Sequence, residues 1–357
     1  MLHTEIAIIG GGPAGMCAAI AAAGQGARVT LFDRGKRLGG QLVKQTHRFF
    51  GSEKEYAGIR GIDIAKILCD EVEKNKLIDV KTDTTILAIY NDGVITYEEG
   101  KNYKRITSEK TIIATGASEK MLLFENNDLP GVYGAGAVQT LMNEHGIIPG
   151  NKVLMIGAGN IGLIVSYQLM QAGVKVEAII DASPNIGGYL VHASKVKRLG
   201  VPILTSHTIK RALGKESVEG AVICELDEKW QPVSGTEKEL DVDVICLAVG
   251  LSPQSELLRH TGCEMKYIPS LGGYVPMRDE NLQTTVNGIY VAGDTAEVEE
   301  ASSAMVEGTI AGLSAAESLG YGKNISELKK SFINDLDSLR SGAVGEKIRS
   351  GIQKLGC

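Results

Sequence analysis

The chain has 357 residues, 43% of them hydrophobic and 22% charged, which indicates about two globular domains. With 37 Lys and Arg against 43 Asp and Glu, the formal net charge is −6, so there is no basic surplus to attract a nucleic acid. No apolar run reaches the ~18 residues of a membrane span. No signal-peptide pattern opens the chain, and its six cysteines form no CxxC, so we expect a cytoplasmic protein with reduced thiols and no metal site.

The first predicted unit, residues 5–33, is a strand, a glycine loop, a helix and a second strand. An apolar run ends at Ile9, and a helix of small residues continues to the glycines at 24 and 26. The loop has the GxGxxG pattern, which allows a tight turn, close approach of a pyrophosphate and packing of the helix on the strand. Asp33 ends the second strand where such folds place a ribose-binding acid, and Arg34 follows it. The loop residues predicted to bind a dinucleotide are Gly10, Gly12, Pro13, Ala14 and Gly15.

The same arrangement recurs in the second half of the chain. A strand over residues 152–156 leads into a second GxGxxG loop, a helix to about Ala172 and a strand that ends at Asp181. Because residues 182–185 contain no Arg or Lys to accept a 2′-phosphate, we expect NAD(H) rather than NADP(H) at this site. One occupied site and a non-functional duplicate is the alternative to two occupied sites. The predicted binding residues of the second loop are Gly157, Gly159, Asn160, Ile161 and Gly162.

Four further motifs follow in the order found in two-dinucleotide flavoproteins. They are Gly39-Gly40-Gln41-Leu42, the strand and turn at 112–117, its counterpart at 245–250, and Gly288 to Asp294. Together with the two loops, they resemble the pyridine nucleotide–disulfide oxidoreductase superfamily over residues 1–320. The resemblance implies FAD in the first unit, a nicotinamide dinucleotide in the second, and a site that also includes Gly40, Gln41, Leu42, Ala114, Thr115, Gly116, Gly250, Gly293 and Asp294.

The resemblance also implies a fold. It predicts an α/β architecture of two Rossmann-like dinucleotide-binding domains with parallel sheets, the second inserted into the first, as in thioredoxin and glutathione reductases. The expected domains are an FAD-binding domain at 1–117 plus 251–323, an NAD(H)-binding domain at 118–250 and a helical tail at 324–357. Residues 87–108 predict a β-meander in the first domain, and residues 216–242 predict its counterpart in the second.

The cysteines depart from the disulfide-reducing members. There is no CxxC in the second unit and no cysteine pair after Gly40, so we expect no disulfide reductase activity. Residues 118–150 instead resemble the α or A subunits of heteromeric sarcosine oxidase, dye-linked proline dehydrogenase, opine oxidase and hydrogen cyanide synthase. In such complexes a partner subunit carries its own flavin and oxidises a secondary amine or amino acid. Since Cys357 is the only cysteine after Cys263, an iron–sulfur centre would belong to another, small subunit.

The tail carries two apolar stripes, one from Ile325 to Leu339 and a shorter one at Ile348, Ile352 and Leu355. Asn324 and Glu327 predict a capping box before the first stripe, and glycines at 342 and 345 are expected to interrupt the helix between them. The stripes pack either on the chain's own body or on a partner or second copy.

No side chain is needed as an acid or base for hydride exchange with a flavin, so no catalytic residue is assigned. His47, Lys44 and His192 lie close to the predicted sites, and structural roles are the simpler interpretation of each. Cys17 and Cys246 are expected to be buried apolar residues.

The predicted function is an FAD-dependent oxidoreductase that exchanges electrons between NAD(H) and a second redox centre, in a heteromeric amino acid or secondary amine dehydrogenase or oxidase. The expected partners are a small-molecule substrate and a second flavoprotein chain. Two alternatives stay open. One is a self-contained NADH:acceptor oxidoreductase. The other is a scaffold or regulatory subunit whose second site holds an adenine nucleotide that exchanges no hydride.

Overall fold

The computed structural model describes residues 2–355, apart from the side chains of Ala343 and Val344. The chain divides into two compact units. Unit 1 runs to Ser118 and resumes at Leu251, and unit 2 is Glu119–Gly250. No helix within the described range is long and apolar enough to cross a bilayer.

Both units contain strands and helices, with strand–helix–strand segments and runs of consecutive strands. The strands are β1 (Leu2–Ile9), β2 (Val29–Phe32), β3 (Ile78–Lys81), β4 (Thr84–Ile89), β5 (Val94–Glu99), β6 (Asn102–Ile113), β7 (Ala117–Glu119), β8 (Val132–Gly134), β9 (Lys152–Ile156), β10 (Lys175–Asp181), β11 (Ile203–Thr205), β12 (His207–Leu213), β13 (Gly220–Glu225), β14 (Lys238–Leu240), β15 (Val244–Leu247), β16 (Leu251–Pro253), β17 (Met265–Ile268), β18 (Gly273–Pro276) and β19 (Ile289–Val291). The helices are α1 (Pro13–Gly24), α2 (Gly61–Lys74), α3 (Ala135–His145), α4 (Asn160–Gln171), α5 (Leu190–Arg198), α6 (Glu256–His260), α7 (Ala301–Ser318), α8 (Ile325–Leu339) and α9 (Gly342–Gln353).

The main sheet of unit 1 is parallel in its centre. Its order is β3-β2-β1-β6-β5-β4, and β19 also pairs with β6. Strand β6 is long enough to have two sets of neighbours. Its first half pairs antiparallel with β5, and its second half pairs parallel with both β1 and β19. The antiparallel run β4-β5-β6 confirms the predicted meander.

Unit 2 contains a five-stranded parallel sheet in the order β11-β10-β9-β15-β8. The parallel strands of unit 1 have the spatial order β3-β2-β1-β6-β19, which matches unit 2 in its first four strands. The fifth strand differs in chain position, because β19 comes last in unit 1 whereas β8 comes before β9 in unit 2. The parallel strands are buried on both faces, by helices on one face and by the β-meander of their unit on the other. This burial explains why they appear in the sequence as continuous apolar runs. The predicted α/β class is confirmed. The second meander, β12-β13-β14, begins at His207, earlier than the predicted residue 216.

Helices α1 and α7 of unit 1 pack at very short range. A Cβ on Gly308 would lie 2.0 Å from the backbone oxygen of Ala14, and one on Gly312 would lie 2.3 Å from that of Ala18. Helix α1 is almost entirely small and apolar because it is covered on one side by the sheet and on the other by α7. This contact fixes the position of the helix that follows the first glycine loop.

The tail packs on unit 1, as the first of the two alternatives predicts. Leu336 of α8 joins the largest core of unit 1 together with Phe332 and Ile333, and Ile348 and Leu355 join a smaller core with Leu271 and Val275.

Two local predictions in the tail are wrong. Asn324 has φ +63° and, in the described chain, no side-chain cap bond, whereas a capping box needs an extended N-cap residue. Gly345 lies inside α9 rather than interrupting it. A Cβ there would lie 1.9 Å from the backbone oxygen of Arg340, so this glycine lets the helix pass close to the preceding segment.

Candidate nucleotide-binding sites

The first and third glycines of the first loop are required by the fold itself. The Gly10 N–H donates to the Phe32 oxygen at 2.8 Å, which starts the turn directly at the carboxyl end of β1. A Cβ on Gly10, where φ is +109°, would lie 2.2 Å from the Ala114 oxygen, and one on Gly15 would lie 1.7 Å from the Gly10 oxygen. Both positions therefore exclude any side chain.

The middle glycine of the loop, Gly12, is not required by contacts within the chain. A Cβ on Gly12 would meet Gly40 Cα at 3.9 Å, an ordinary van der Waals contact. Gly12 is the N-cap of α1, Pro13 and Ala14 open the helix, and no described side chain caps this end. The first-turn N–H groups and the positive end of the helix dipole are thus available to an anion. This fits a dinucleotide pyrophosphate, which needs both the donors and the room.

Asp33 is held against this loop at the adjacent strand end. Its Oδ2 accepts from the Gly11 N–H and its Oδ1 from the Gly35 N–H, both at 2.6 Å. A carboxylate has about four lone-pair positions, so two accepted bonds leave it able to accept from ribose hydroxyls. Arg34 is exposed beside it.

The residues predicted to line the flavin differ in exposure: two lie at the surface and one is buried. Gly40 approaches the loop so closely that a Cβ on it would lie 2.8 Å from Gly12 Cα, and Gln41 is exposed. Leu42, in contrast, is completely buried in the core of unit 1. Its side chain supports the Gly39–Lys44 turn and does not line an open surface, which corrects the expectation that it faces the flavin.

Thr115 and Gly116 meet the segment that carries Asp294. The Gly116 N–H donates to the Thr295 hydroxyl at 2.6 Å, and the Thr115 hydroxyl donates to the Gln254 oxygen at 2.9 Å. Since β6 and β19 are neighbours, the two turns that follow them lie at one edge of the sheet. The structure therefore brings two motifs together that are far apart in the sequence.

Asp294 is only partly exposed, and its environment is acidic. Burial, together with the nearby Glu297 and Glu299, raises its pKa to about 7, against a hydrogen bond from the Glu299 N–H that lowers it. The bond to that N–H is long, at 3.3 Å. A carboxyl group with this pKa changes charge near neutral pH, where it can accept from a ligand hydroxyl in the ionised form.

Unit 2 repeats the geometry of the first loop. The Gly157 N–H donates to the Ile180 oxygen at 2.7 Å. A Cβ on Gly157 would lie 2.3 Å from the Ala248 oxygen, and one on Gly162 would lie 2.0 Å from the Gly157 oxygen. A Cβ on the middle glycine, Gly159, would meet no described atom within 4 Å. The fold again explains the outer glycines and leaves the middle one to a bound group.

Asp181 takes the place of Asp33 in this second site. Its Oδ2 accepts from the Ala158 N–H at 2.6 Å and its Oδ1 from the Ser183 N–H at 2.8 Å. Asn160 accepts from the Tyr189 N–H at 2.8 Å, and Ile161 is exposed at the start of α4. Gly250 lies exposed after β15, at the position predicted from the counterpart motif.

A second glycine pair, Gly187–Gly188, belongs to this site and was not predicted. The N–H of its second glycine, Gly188, donates to the Ala158 oxygen at 2.9 Å, and in unit 1 the N–H of the first glycine of the pair, Gly39, donates to the Gly11 oxygen at 2.8 Å. The signal is present in the sequence, because each pair begins six residues after the acid of its unit. The internal repeat therefore extends through a loop, an acid and a glycine pair.

The three other candidates, His192, His47 and Lys44, have contacts that fit structural roles. His192 is buried and its ring contacts that of Tyr189, while the His47 ring stacks on Phe49 at 5.8 Å between centroids. Lys44 closes the 3₁₀ turn after Gly39.

Cys246 is completely buried, as expected, whereas Cys17 is only partly buried against the core of unit 1. Burial raises the pKa of the Cys17 thiol to about 12 and raises that of Cys246 even more, so both are inert apolar residues. Cys357 lies outside the described residues. Within residues 2–355 no group of His, Cys, Asp and Glu is arranged to hold a metal.

Two parallel sheets, each with a glycine loop and a hydrogen-bonded acid at its carboxyl edge, define a protein built from two dinucleotide-binding folds. The chain matches the pyridine nucleotide-disulphide oxidoreductase family model over residues 4–308, and it belongs to that family. The family consists of FAD-binding oxidoreductases, as the sequence predicted.

Individual relatives agree with the more specific resemblance. The chain is 28% identical over 332 residues to the A subunit of opine oxidase from Agrobacterium tumefaciens (strain Ach5), covering 88% of this chain and 66% of the relative. It is 26% identical over 320 residues to the alpha subunit of sarcosine oxidase from Rhizobium meliloti (strain 1021), covering 86% and 30%. L-proline dehydrogenase from P. horikoshii has the same fold, with a TM-score of 0.73 at 24% identity over 93% of this chain and 59% of that chain. This chain thus spans two thirds or less of each.

Proposed function

We propose that this protein is an FAD-dependent redox subunit that exchanges electrons between NAD(H), held by unit 2, and a second redox centre. The observation that carries the proposal is that both units contain the same glycine loop at the N-terminus of a helix. In each unit the outer glycines of the loop are fixed by the fold, and the middle one, Gly12 or Gly159, leaves room that the chain does not fill. Room at both helix N-termini supports two bound dinucleotides rather than one and a remnant.

The residues of unit 1 fit FAD. The loop N–H groups would hold the pyrophosphate, Asp33 the adenosine ribose, the Thr115–Gly116 turn the pyrophosphate side, and Asp294 the ribityl chain. A bound flavin supplies the capacity to accept and release a hydride. What the chain's own residues contribute is binding, orientation and the charge around Asp294.

The residues of unit 2 fit a nucleotide with a free ribose. Both oxygens of Asp181 are fixed by backbone N–H groups, so the negative charge stays at the ribose position. The segment that follows, residues 182–185, contains no cation. A 2′-phosphate would meet that carboxylate without a counter-charge, which favours NAD(H) over NADP(H).

The partner and substrate are inferred from the relatives. The opine oxidase and sarcosine oxidase chains are both named as subunits, and opines, sarcosine and proline are all secondary amines. We infer that this chain associates with a second flavoprotein subunit that oxidises a secondary amine or amino acid. Any iron–sulfur centre would be held by a further small subunit, since this chain lacks the cysteines for one.

An anaerobic titration of the purified chain tests the redox part. We expect the flavin absorbance near ~450 nm to bleach on addition of NADH, with NADPH much less effective. The Gly159→Val variant is the matched control, because it should keep its flavin and lose the response to NADH.

The other outcomes separate the alternatives. A yellow protein that neither nucleotide bleaches would make unit 2 a non-redox nucleotide site and the chain a scaffold or regulatory subunit. Full NADH-dependent dye reduction by the chain alone, unchanged by any co-purifying subunit, would favour a self-contained oxidoreductase. A colourless protein that cannot be reconstituted with FAD would contradict the proposal as a whole.

The cofactor preference gives a separate prediction. Asp181→Ser keeps an acceptor for the Ala158 N–H but removes the negative charge. We expect the ratio of NADPH to NADH affinity to rise about tenfold, which corresponds to about 1.4 kcal/mol. Nucleotide titrations with Asp181→Ser and the wild type measure it, and an unchanged ratio would show that Asp181 does not set the preference.

A further inference from the structure

A buried network of charged side chains lies directly behind the Asp294 segment of unit 1. Its carboxylates come from the loop after β19 and from α7, while one of its guanidinium groups comes from the tail. Their side chains are at most 13% exposed. Burying charges in this way is costly unless they are paired. The members are Arg278, Glu297, Glu299, Glu307 and Arg340.

One arm of the network leads from Arg340 to the backbone beside Asp294. The Arg340 Nη2 donates to Glu307 Oε1 at 2.7 Å, and Glu307 Oε2 accepts from the Gly293 N–H at 2.9 Å. One carboxylate oxygen of Glu307 therefore accepts from Arg340 of the tail, and the other accepts from the backbone of the loop. The backbone atom that it holds belongs to the residue immediately before Asp294.

The other arm leads from Arg340 through Glu299 to the Asp294 carboxylate itself. The Arg340 Nε and Nη2 donate to Glu299 Oε2 at 2.9 and 2.7 Å, and the Glu299 N–H donates to Asp294 Oδ1. Arg340 also pairs with Glu297, which Arg278 contacts in turn. A single guanidinium thus binds three carboxyl groups, and two of these residues, Glu299 and Glu307, hydrogen-bond to the Gly293–Asp294 turn.

We propose that Arg340 is a positioning residue of the first nucleotide site, which fixes the Gly293–Asp294 turn and supplies the counter-charge that its acidic surroundings need. The inference rests on the proposed function, because it takes Asp294 to contact the flavin nucleotide. It makes the tail part of that site, although Arg340 lies beyond the last predicted site residue in the sequence.

The electrostatics give the expected direction of change. Four carboxyl groups, at 294, 297, 299 and 307, face two guanidinium groups here. Although burial opposes them, Arg278 and Arg340 hold the pKa of Glu297 below its usual value, while burial and Glu297 raise that of Glu307. The charges of Glu297 and Glu299 raise the pKa of Asp294, and Arg340 pairs with both of these acids. We therefore expect the removal of Arg340 to raise the pKa of Asp294 further.

The experiment is an FAD titration of the full chain over a pH series, comparing the wild type with Arg340→Met, Arg340→Lys and Lys329→Met. If ionised Asp294 accepts from the ribityl hydroxyls, wild-type affinity rises with pH through about 7. We expect Arg340→Met to weaken FAD binding at least about tenfold at neutral pH and to move the pH midpoint upward by about one unit. Arg340→Lys should restore part of both effects.

Lys329→Met is the matched control. Lys329 lies on α8 and ties the tail to Glu317 and Asn281, so its loss loosens the tail without touching the acidic network. We expect it to keep the wild-type midpoint. Glu299→Gln provides an opposite test, because it removes a negative charge near Asp294 and should move the midpoint downward even if Arg340→Met folds poorly.

Several results would overturn the inference. Wild-type affinity and midpoint in Arg340→Met would show that the turn needs no counter-charge from the tail. Equal losses in Arg340→Met and Lys329→Met would reduce the role of Arg340 to general stability. A wild-type chain that binds no FAD at any pH would instead overturn the proposed function, and this inference with it.

Discussion

Replacing Gly12 with valine is expected to give a folded but colourless protein. The Cβ of residue 12 meets the chain only at van der Waals distance, 3.9 Å from Gly40 Cα, so the fold accepts a side chain there. A bound pyrophosphate does not, because it must approach the backbone at the start of α1. We expect FAD affinity to fall at least about 100-fold, or roughly 2.7 kcal/mol. Flavin content and an FAD titration measure the effect.

Substitution of an outer glycine of the same loop should instead destabilise the fold. Gly15→Ala places a Cβ 1.7 Å from the Gly10 oxygen and should unfold the loop itself, so its thermal transition should fall sharply. Gly12→Val should melt within a few degrees of the flavin-free wild type. A yellow Gly12→Val protein with full flavin content would show that the pyrophosphate does not lie against residue 12, and the predicted first site would be wrong.

Replacing Gly308 with alanine is expected to destabilise unit 1 severely. The new Cβ would lie 2.0 Å from the Ala14 oxygen, so α7 must move away from α1, and the helix behind the first glycine loop moves with it. Overpacking of this kind costs about 1–3 kcal/mol or more. We expect a clear fall in the thermal unfolding midpoint of the flavin-free chain, which circular dichroism measures.

Gly24→Ala is the control for this prediction. Gly24 is the last residue of α1, and its Cβ would meet no described atom within 4 Å. Alanine is a better helix former than glycine by up to about 1 kcal/mol, so this variant should be neutral or slightly stabilised. If Gly308→Ala and Gly24→Ala unfold at the same temperature, the close α1–α7 contact does not limit stability.

The glycine loops, their acids and the α/β class could be predicted because each depends on residues close together in the chain. Strand, turn, helix and acid follow within about thirty residues, and hydrophobic periodicity reports them directly. The second glycine pair was missed even though its spacing is visible. The spacing gains meaning only when Gly188 is seen to bond the loop residue Ala158.

The errors arose where local pattern and tertiary packing compete. Asn324 and Glu327 have capping-box spacing, but the left-handed conformation of Asn324 prevents the reciprocal bonds. Gly345 is a poor helix former, and the helix continues through it because its missing Cβ admits the Arg340 oxygen. Leu42 lies in a motif of a flavin-lining loop, yet its side chain is needed in the core.

Composition and short-range spacing were enough to predict two dinucleotide folds in one chain, each with an aspartate at the end of its second strand, and the sequence contains no CxxC. The close approach of α7 to α1 through Gly308 became visible only in three dimensions, as did the reach of Arg340 back to the Gly293–Asp294 turn through Glu307. A charge and its partner separated by more than thirty residues leave no periodic signal in the chain. Their pairing is set by the helices that carry them and by the cost of burying either charge alone.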